Sequence, residues 1–259
     1  MSDSEPALDG LLRLDGRVAI VTGASGGLGE RFARVLHAAG ATVVGAARRA
    51  DRLDAIAAEL ERFVPVTCDV AVDADLDRLV QAALDIDGRV DVLVNNAGIS
   101  DGPTPALGED PALFRRAVEV NLNGLFVLTQ QVAASMIERG SGSIVNISSV
   151  HGLVAAAPNN QAGYVASKTA VIGLTRELAC QWATSGVRVN AIAPGYFESE
   201  LTEAMFADER GLRWVERNTP MRRPGRGDEL DGALLFLVGD ASTYVTGQVL
   251  AIDGGFTAR

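Results

Sequence analysis

Short, β-branched apolar runs separated by longer amphipathic stretches leave this chain few folds to choose from. The runs are Arg17–Thr22, Thr42–Ala46, Val64–Cys68, Asp91–Asn95, Ser143–Ile147, Arg188–Ile192 and Gln248–Ile252. Between and after them lie helical patterns at Gly29–Ala39, Leu53–Glu61, Asp75–Leu84, Leu113–Glu138, Gly163–Thr184 and Glu229–Val238. A strand, helix, strand rhythm predicts parallel strands joined by right-handed crossovers. Runs that are apolar throughout suit strands buried on both faces. The expected class is α/β: a doubly wound parallel sheet of about seven strands with helices on both faces. No Pro/Gly/Ser-rich linker divides the chain, so a single domain is expected over 16–259, after an N-terminal extension at 1–15. Tyr196–Pro220 breaks the rhythm, with Phe197, Leu201, Met205, Phe206, Leu212 and Trp214 in an amphipathic stretch. It follows a strand's C-terminal end, where open α/β sheets bind ligands, and is predicted to be a mobile lid; a plain surface helix is the alternative.

Composition narrows the partners. Of 259 residues, 47% are hydrophobic, enough for a substantial core. Asp and Glu outnumber Lys and Arg, 33 to 23, which argues against nucleic acid or an anionic membrane as partner. The two cysteines, Cys68 and Cys180, form no C-x-x-C pair and suggest a reducing, cytoplasmic setting. With only two histidines, His37 and His151, no transition-metal site is expected. No basic, apolar leader opens the chain, and no run of about 18 apolar residues would span a membrane.

After the first strand comes Thr22-Gly23-Ala24-Ser25-Gly26-Gly27-Leu28-Gly29, opening a helix. Glycines permit tight turns and close backbone approach, and a helix N-terminus offers free N–H groups and partial positive charge to a phosphate. The spacing is neither G-x-G-x-x-G nor a Walker loop. The same residues fit G-x-S-x-G, the nucleophile elbow of hydrolases, with Ser25 as nucleophile. That rival needs a histidine late in the chain, and none follows His151.

Further signals fall at strand ends. Asn95-Asn96-Ala97-Gly98 closes the fourth strand, Tyr164-Val165-Ala166-Ser167-Lys168 opens a long helix, and Pro194-Gly195 follows the sixth strand. With the glycine turn, in this order, they resemble the short-chain dehydrogenase/reductase family from about Leu14 to Thr257. The branch with ketoacyl reductases, polyol and sugar dehydrogenases and carbonyl reductases is the most similar. The resemblance implies a Rossmann-like fold and a nicotinamide-dependent oxidoreductase that interconverts a carbonyl and a secondary alcohol. Its implied catalytic set is Asn121, Ser149, Tyr164 and Lys168. Ser149 is taken by strand position, with a longer loop within Leu153–Asn160; Ser148 is the alternative. A homotetramer, or a homodimer, is implied too. A nicotinamide-binding sensor or scaffold without turnover is the competing class.

Tyr164 and Lys168 are four residues apart and share a helix face. An ammonium about 4 Å from a phenol would favour the phenolate by roughly 4 kcal/mol at an effective dielectric of 20, or about 3 pK units. Tyr164 is thus expected to exchange a proton with the substrate oxygen. The resemblance further implies that Ser149 binds that oxygen, that Asn121 holds a relay water, and that Lys168 holds the nicotinamide ribose.

The implied cofactor contacts are Gly23, Ser25, Gly27, Leu28, Gly29, Arg48, Arg49, Asp69, Val70, Asn95, Ala97, Gly98, Tyr164, Lys168, Pro194, Gly195 and Ser199. Ser199 is read either as a nicotinamide contact or as the cap of a helix starting at Glu200. His151 is either a substrate contact or a plain loop histidine. An NAD site places an acid at the end of the second strand. Here Ala47 stands there, followed by Arg48 and Arg49, and an arginine's planar fork suits a 2′-phosphate. NADP(H) is therefore expected, with NAD(H) possible, since Gly26 stands where many NADP members carry a basic residue.

Overall fold

The computed structural model describes residues 10–100, 102–200 and 202–258. Seven parallel strands form one sheet in the order β3-β2-β1-β4-β5-β6-β7. They are β1 (Val18–Thr22), β2 (Thr42–Ala47), β3 (Phe63–Thr67), β4 (Val92–Asn95), β5 (Gly142–Ile147), β6 (Val187–Pro194) and β7 (Val249–Ile252). The expected α/β class and strand number therefore hold, with ends shifted by a residue or two.

Period-two alternation sorts the strand side chains onto two cores. Ala19, Val21 and Val43 pack with Phe32 and Leu36 of α1 (Gly27–Ala38) and with Leu234 and Leu237 of the last helix. Val18, Ile20 and Val44 face the other way, onto Leu76 and Leu79 of α3 (Asp73–Asp87) and Leu128, Val132 and Met136 of α5 (Gly124–Arg139). Helix α2 (Ala50–Glu59) completes the flank beyond β2. The chain runs outward from β1 to β3, then returns to β4 on the other side of β1. That reversal opens a crevice at the C-terminal ends of β1 and β4. The glycine-rich turn and the Asn96–Gly98 loop meet there: the Thr22 hydroxyl accepts from the Asn96 and Ala97 N–H groups, each at 3.0 Å.

Two expectations are corrected. The helix expected over Leu113–Glu138 is α4 (Pro111–Val118) and α5 separated by a π turn at Glu119–Asn123. The Asn121 side chain explains the break: its amide pairs with the Ile99 backbone, accepting at 2.8 Å and donating at 2.9 Å, which holds one turn against a neighbouring loop. Of the extension, residues 1–9 lie outside the described residues, but Leu14 is fully buried in the main core and its N–H donates to Ala39 O at 2.8 Å. The segment at 196–220 carries α7 (Glu203–Phe206) and α8 (Glu209–Asn218), after the long α6 (Ala162–Trp182) and before α9 (Asp231–Val238). Its Met205, Phe206 and Trp214 pack with Tyr196, Val215, Val150 and Phe256, while Leu201 lies outside the described residues. Within the described residues no helix is long and apolar enough to cross a membrane.

Candidate active site

A cleft of about 340 Å³ runs along the C-terminal ends of the strands, from Arg48 and Asp69 across the glycine-rich turn to Ser149, Tyr164, Lys168 and Pro194. Its floor is backbone that side chains would block. A Cβ on Gly29 would lie 2.1 Å from Gly23 O, and Gly27 takes φ +55° where α1 begins. The turn thus brings bare backbone and the positive end of α1 to the cleft, the arrangement a dinucleotide's phosphates require.

Tyr164 and Lys168 enter the far end from the start of α6. The side chains of Tyr164 and Ser149 are hydrogen-bonded to each other. Ser149 Oγ also accepts the His151 N–H at 3.1 Å, which caps the turn after β5 and fixes the hydroxyl. The Ser148 hydroxyl instead donates to Lys168 O at 2.9 Å, so it ties β5 to α6. Lys168 is 4% exposed; its Nζ donates to Ile147 O at 2.8 Å and lies 5.8 Å from the centroid of the Tyr164 ring.

Burial dominates the protonation of this pair. It pushes the Lys168 ammonium down to about 8. It also raises the Tyr164 phenol, against the opposing pull of the Ser149 hydrogen bond. The expected depression of the phenol is therefore reversed here, because desolvation penalises the charged form of both groups. His151 is neutral-leaning for the same reason, and its Nε2 meets the Tyr196 hydroxyl at 3.1 Å. It links the Ser149 turn to the base of the 196–220 segment and does not line the cleft.

Asn121 sits below this group, fully buried. Its amide is spent on Ile99 and on Ser167 Oγ at 3.0 Å. A Cβ on Gly98 would come 3.2 Å from Asn121 Oδ1 and 3.3 Å from Lys168 Nζ, so these two groups converge on Gly98.

At the opposite end, Arg48 lines the cleft without an ion pair or hydrogen bond to any described residue. Arg49 leans over the glycine turn, its Nε and Nη2 donating to Ser25 Oγ at 3.1 and 3.0 Å. That contact leaves Ser25 beside a cation and no base, which removes the hydrolase reading. It also puts a guanidinium in the space beside Gly26. Asp69 accepts from Arg116 at 3.1 Å, and both line the cleft with Val70.

The comparisons with known proteins agree with this geometry. Residues 23–257 match the family model described as enoyl-(acyl carrier protein) reductase. The chain is 41% identical to the galactitol 2-dehydrogenase (L-tagatose-forming) of Cereibacter sphaeroides, over 95% of this chain and 97% of that one. It is 37% identical to a 3-oxoacyl-(acyl-carrier-protein) reductase of Thermotoga maritima, over 94% of this chain and 99% of that one. The crystal structure of a gluconate 5-dehydrogenase from Burkholderia cenocepacia, in complex with NADP and tartrate, matches with a TM-score of 0.91 at 38% identity, over 97% of this chain and 99% of that one. The chain belongs to the short-chain dehydrogenase/reductase family. It is an NAD(P)-dependent oxidoreductase acting on CH–OH groups.

Within this dehydrogenase, most residues expected around the cofactor line one cleft: Gly23, Ser25, Gly27, Leu28, Gly29, Arg48, Arg49, Asp69, Val70, Ala97, Gly98, Tyr164, Lys168, Pro194, Gly195 and Ser199. Asn95 is the exception. Its Nδ2 donates to Thr129 Oγ1 at 2.8 Å and Asn146 Oδ1 at 2.9 Å, in a buried network between β4, β5 and α5. Asn96 lines the cleft instead. Strand alternation carries the signal: Asn95 shares the face of Leu93, which α5 covers. Nor does Ser199 cap a helix at Glu200. The helix begins at Glu203, and the Ser199 N–H donates to Thr202 Oγ1 at 2.9 Å. Sequence reasoning missed Glu200, Arg116 and Thr202, which reach the cleft from surface stretches without any motif.

Proposed function

We propose that this oxidoreductase interconverts a neutral ketone and its secondary alcohol, of the polyol or carbonyl class, with NADP(H) preferred over NAD(H). The observation that carries the reading is the Ser149–Tyr164 hydrogen bond above buried Lys168, at one end of a cleft whose other end holds Arg48 and the glycine turn.

In the reduction direction Tyr164 donates its proton from Oη to the substrate oxygen, and takes it back in oxidation. The neutral phenol favoured by burial is the donor form. Ser149 Oγ binds the same oxygen, where charge develops. Lys168, anchored on Ile147 O, has further donors for the nicotinamide ribose hydroxyls. The bound nicotinamide supplies or accepts the hydride. Asn121 serves the proton path as a positioning residue, because its amide is committed to Ile99 and Ser167 and holds the wall beneath Lys168. The 2′-phosphate falls to Arg48 and Arg49, since Ala47 offers no acid for a ribose diol.

Charge distribution favours a neutral substrate. The cleft's paired and free ionic groups, Arg48, Arg49, Asp69, Arg116 and Glu200, cluster around the glycine turn and the ends of β2 and β3. The remaining charged group of the lining is Lys168, 5.8 Å from the centroid of the Tyr164 ring. Among the described residues, the arginines that line the cleft all belong to that cluster.

The test is a turnover assay with NADP⁺ and NAD⁺ on galactitol and other neutral secondary alcohols, with gluconate as the anionic comparator. Neutral alcohols are expected to exceed gluconate in kcat/KM by at least about tenfold, a difference of about 1.4 kcal/mol at the transition state. A preference for gluconate would sink the neutral class. Cofactor binding with no turnover on the whole panel would favour a non-catalytic binder.

The exposed Leu113, Phe114 and Phe126 on α4 and α5 support self-association through that face, as a homotetramer or homodimer. Light scattering is expected to give at least a dimer at micromolar concentration; a monomer would contradict it. The two free thiols fit a cytoplasmic location.

A further inference from the structure

Arg49 is shared between two sides of the cleft. Its Nε and Nη2 hold Ser25 on the glycine turn, while its Nη1 donates to Glu200 Oε1 at 2.8 Å. Glu200 comes from the opposite wall, just past β6, in a turn that Thr202 closes. The Thr202 hydroxyl donates to Phe197 O at 2.6 Å and accepts the Ser199 N–H at 2.9 Å. The crossing point is Gly26, where a Cβ would lie 2.9 Å from Glu200 Oε1 and 3.0 Å from Arg49 Nη2. A carboxylate from the 196–220 segment therefore stands beside the arginine pair that ends β2.

We propose that Glu200 is a cofactor-selecting residue: its carboxylate competes with a ribose 2′-phosphate for Arg49 and offers a ribose 2′-hydroxyl the acceptor that Ala47 lacks. The first half follows from charge. Phosphate and carboxylate are both anions that seek the same guanidinium fork, so one must yield or both must share it. The second half follows from donor and acceptor roles. A dinucleotide without the phosphate presents hydroxyl donors, which an acid at this place accepts. In an open α/β sheet the acid usually stands at the end of the second strand; here it arrives from the far wall. Glu200 thus makes the site serve both cofactors, and it ties the segment over the cleft to the cofactor's adenosine end.

This inference rests on the reading that the adenosine ribose lies at Arg48, so the experiment includes a variant for each. Calorimetry would give Kd values for NADP⁺ and NAD⁺ with the wild type, Glu200→Gln, Arg49→Ala, the double variant and Arg48→Ala. Glu200→Gln is expected to tighten NADP⁺ and weaken NAD⁺, raising the NADP⁺ preference at least about threefold, a modest factor because the pair is half-exposed. The tightening of NADP⁺ is expected to vanish when Arg49 is already alanine. Kd values that move together in Glu200→Gln, or an NADP⁺ gain that survives Arg49→Ala, overturn the role of Glu200. If Arg48→Ala leaves the wild-type preference unchanged, the placement of the ribose itself fails. A loss of NADP⁺ preference in Arg48→Ala with no effect of Glu200→Gln rejects Glu200 alone.

Discussion

Tyr164→Phe is expected to lower kcat for ketone reduction by about 10²–10⁴-fold, the range of general acid–base catalysis, while NADPH affinity stays within about twofold. The variant removes one oxygen from a half-buried side chain, and the ring's packing is kept. The lost hydroxyl leaves Ser149 with its second contact, the His151 N–H, so the turn after β5 keeps its shape. The loss should appear in kcat and kcat/KM alike, because the proton is needed in the transition state and not for binding. Ser149→Ala is the milder companion, since the phenol remains to donate. Turnover within tenfold of wild type in Tyr164→Phe would remove Tyr164 from the proton transfer, and with it the mechanism proposed for this site.

The fold was legible because its signal is repeated. Seven apolar runs of similar length, the first six each followed by a helix, leave little besides a doubly wound sheet, and the turn residues 22–29 mark the crevice within it. The site was legible where a residue type coincides with a strand end, as for Gly98 and Arg48, or with a helix start, as for Tyr164 and Lys168. It was not legible where depth or direction decides. Asn95 and Asn96 are identical neighbours, and only knowing that α5 covers the Leu93 face separates a buried network from a cleft wall. Ser148 and Ser149 differ in the same way: one hydroxyl turns into α6 and the other toward Tyr164. The protonation of Tyr164 was misjudged because an ammonium four residues away is visible in the sequence, while the desolvation of both groups is not. Glu200 escaped notice since a single acid on a surface stretch has no pattern, and its meaning comes from a guanidinium 151 residues away in sequence.

Lys168 should expose a conflict between stability and activity. Its ammonium is 4% exposed and is pushed down to about 8 from the usual 10.5, so keeping it charged at neutral pH costs on the order of 3 kcal/mol. Lys168→Met keeps the unbranched length and removes the charge. It also strips Ile147 O of its donor, a loss of about 1 kcal/mol. The net expectation at pH 7 is a gain of about 1–2 kcal/mol, or roughly 2–8 °C in Tm for a chain of this size. Catalysis should fall by about 10²-fold or more, because the phenolate loses its nearby cation and the ribose its donor. The pH dependence fixes the cause. The unfolded chain holds the lysine proton up to about 10.5 and the folded chain only to about 8, so the penalty is complete below pH 8 and relieved as pH rises through that window. The Tm advantage of Lys168→Met should therefore shrink between pH 7 and about 9.5, a range in which Tyr164 stays largely protonated in either state. A variant less stable than wild type at pH 7, or a gap that holds constant to pH 9.5, would mean that Lys168 sits in this fold at no electrostatic cost.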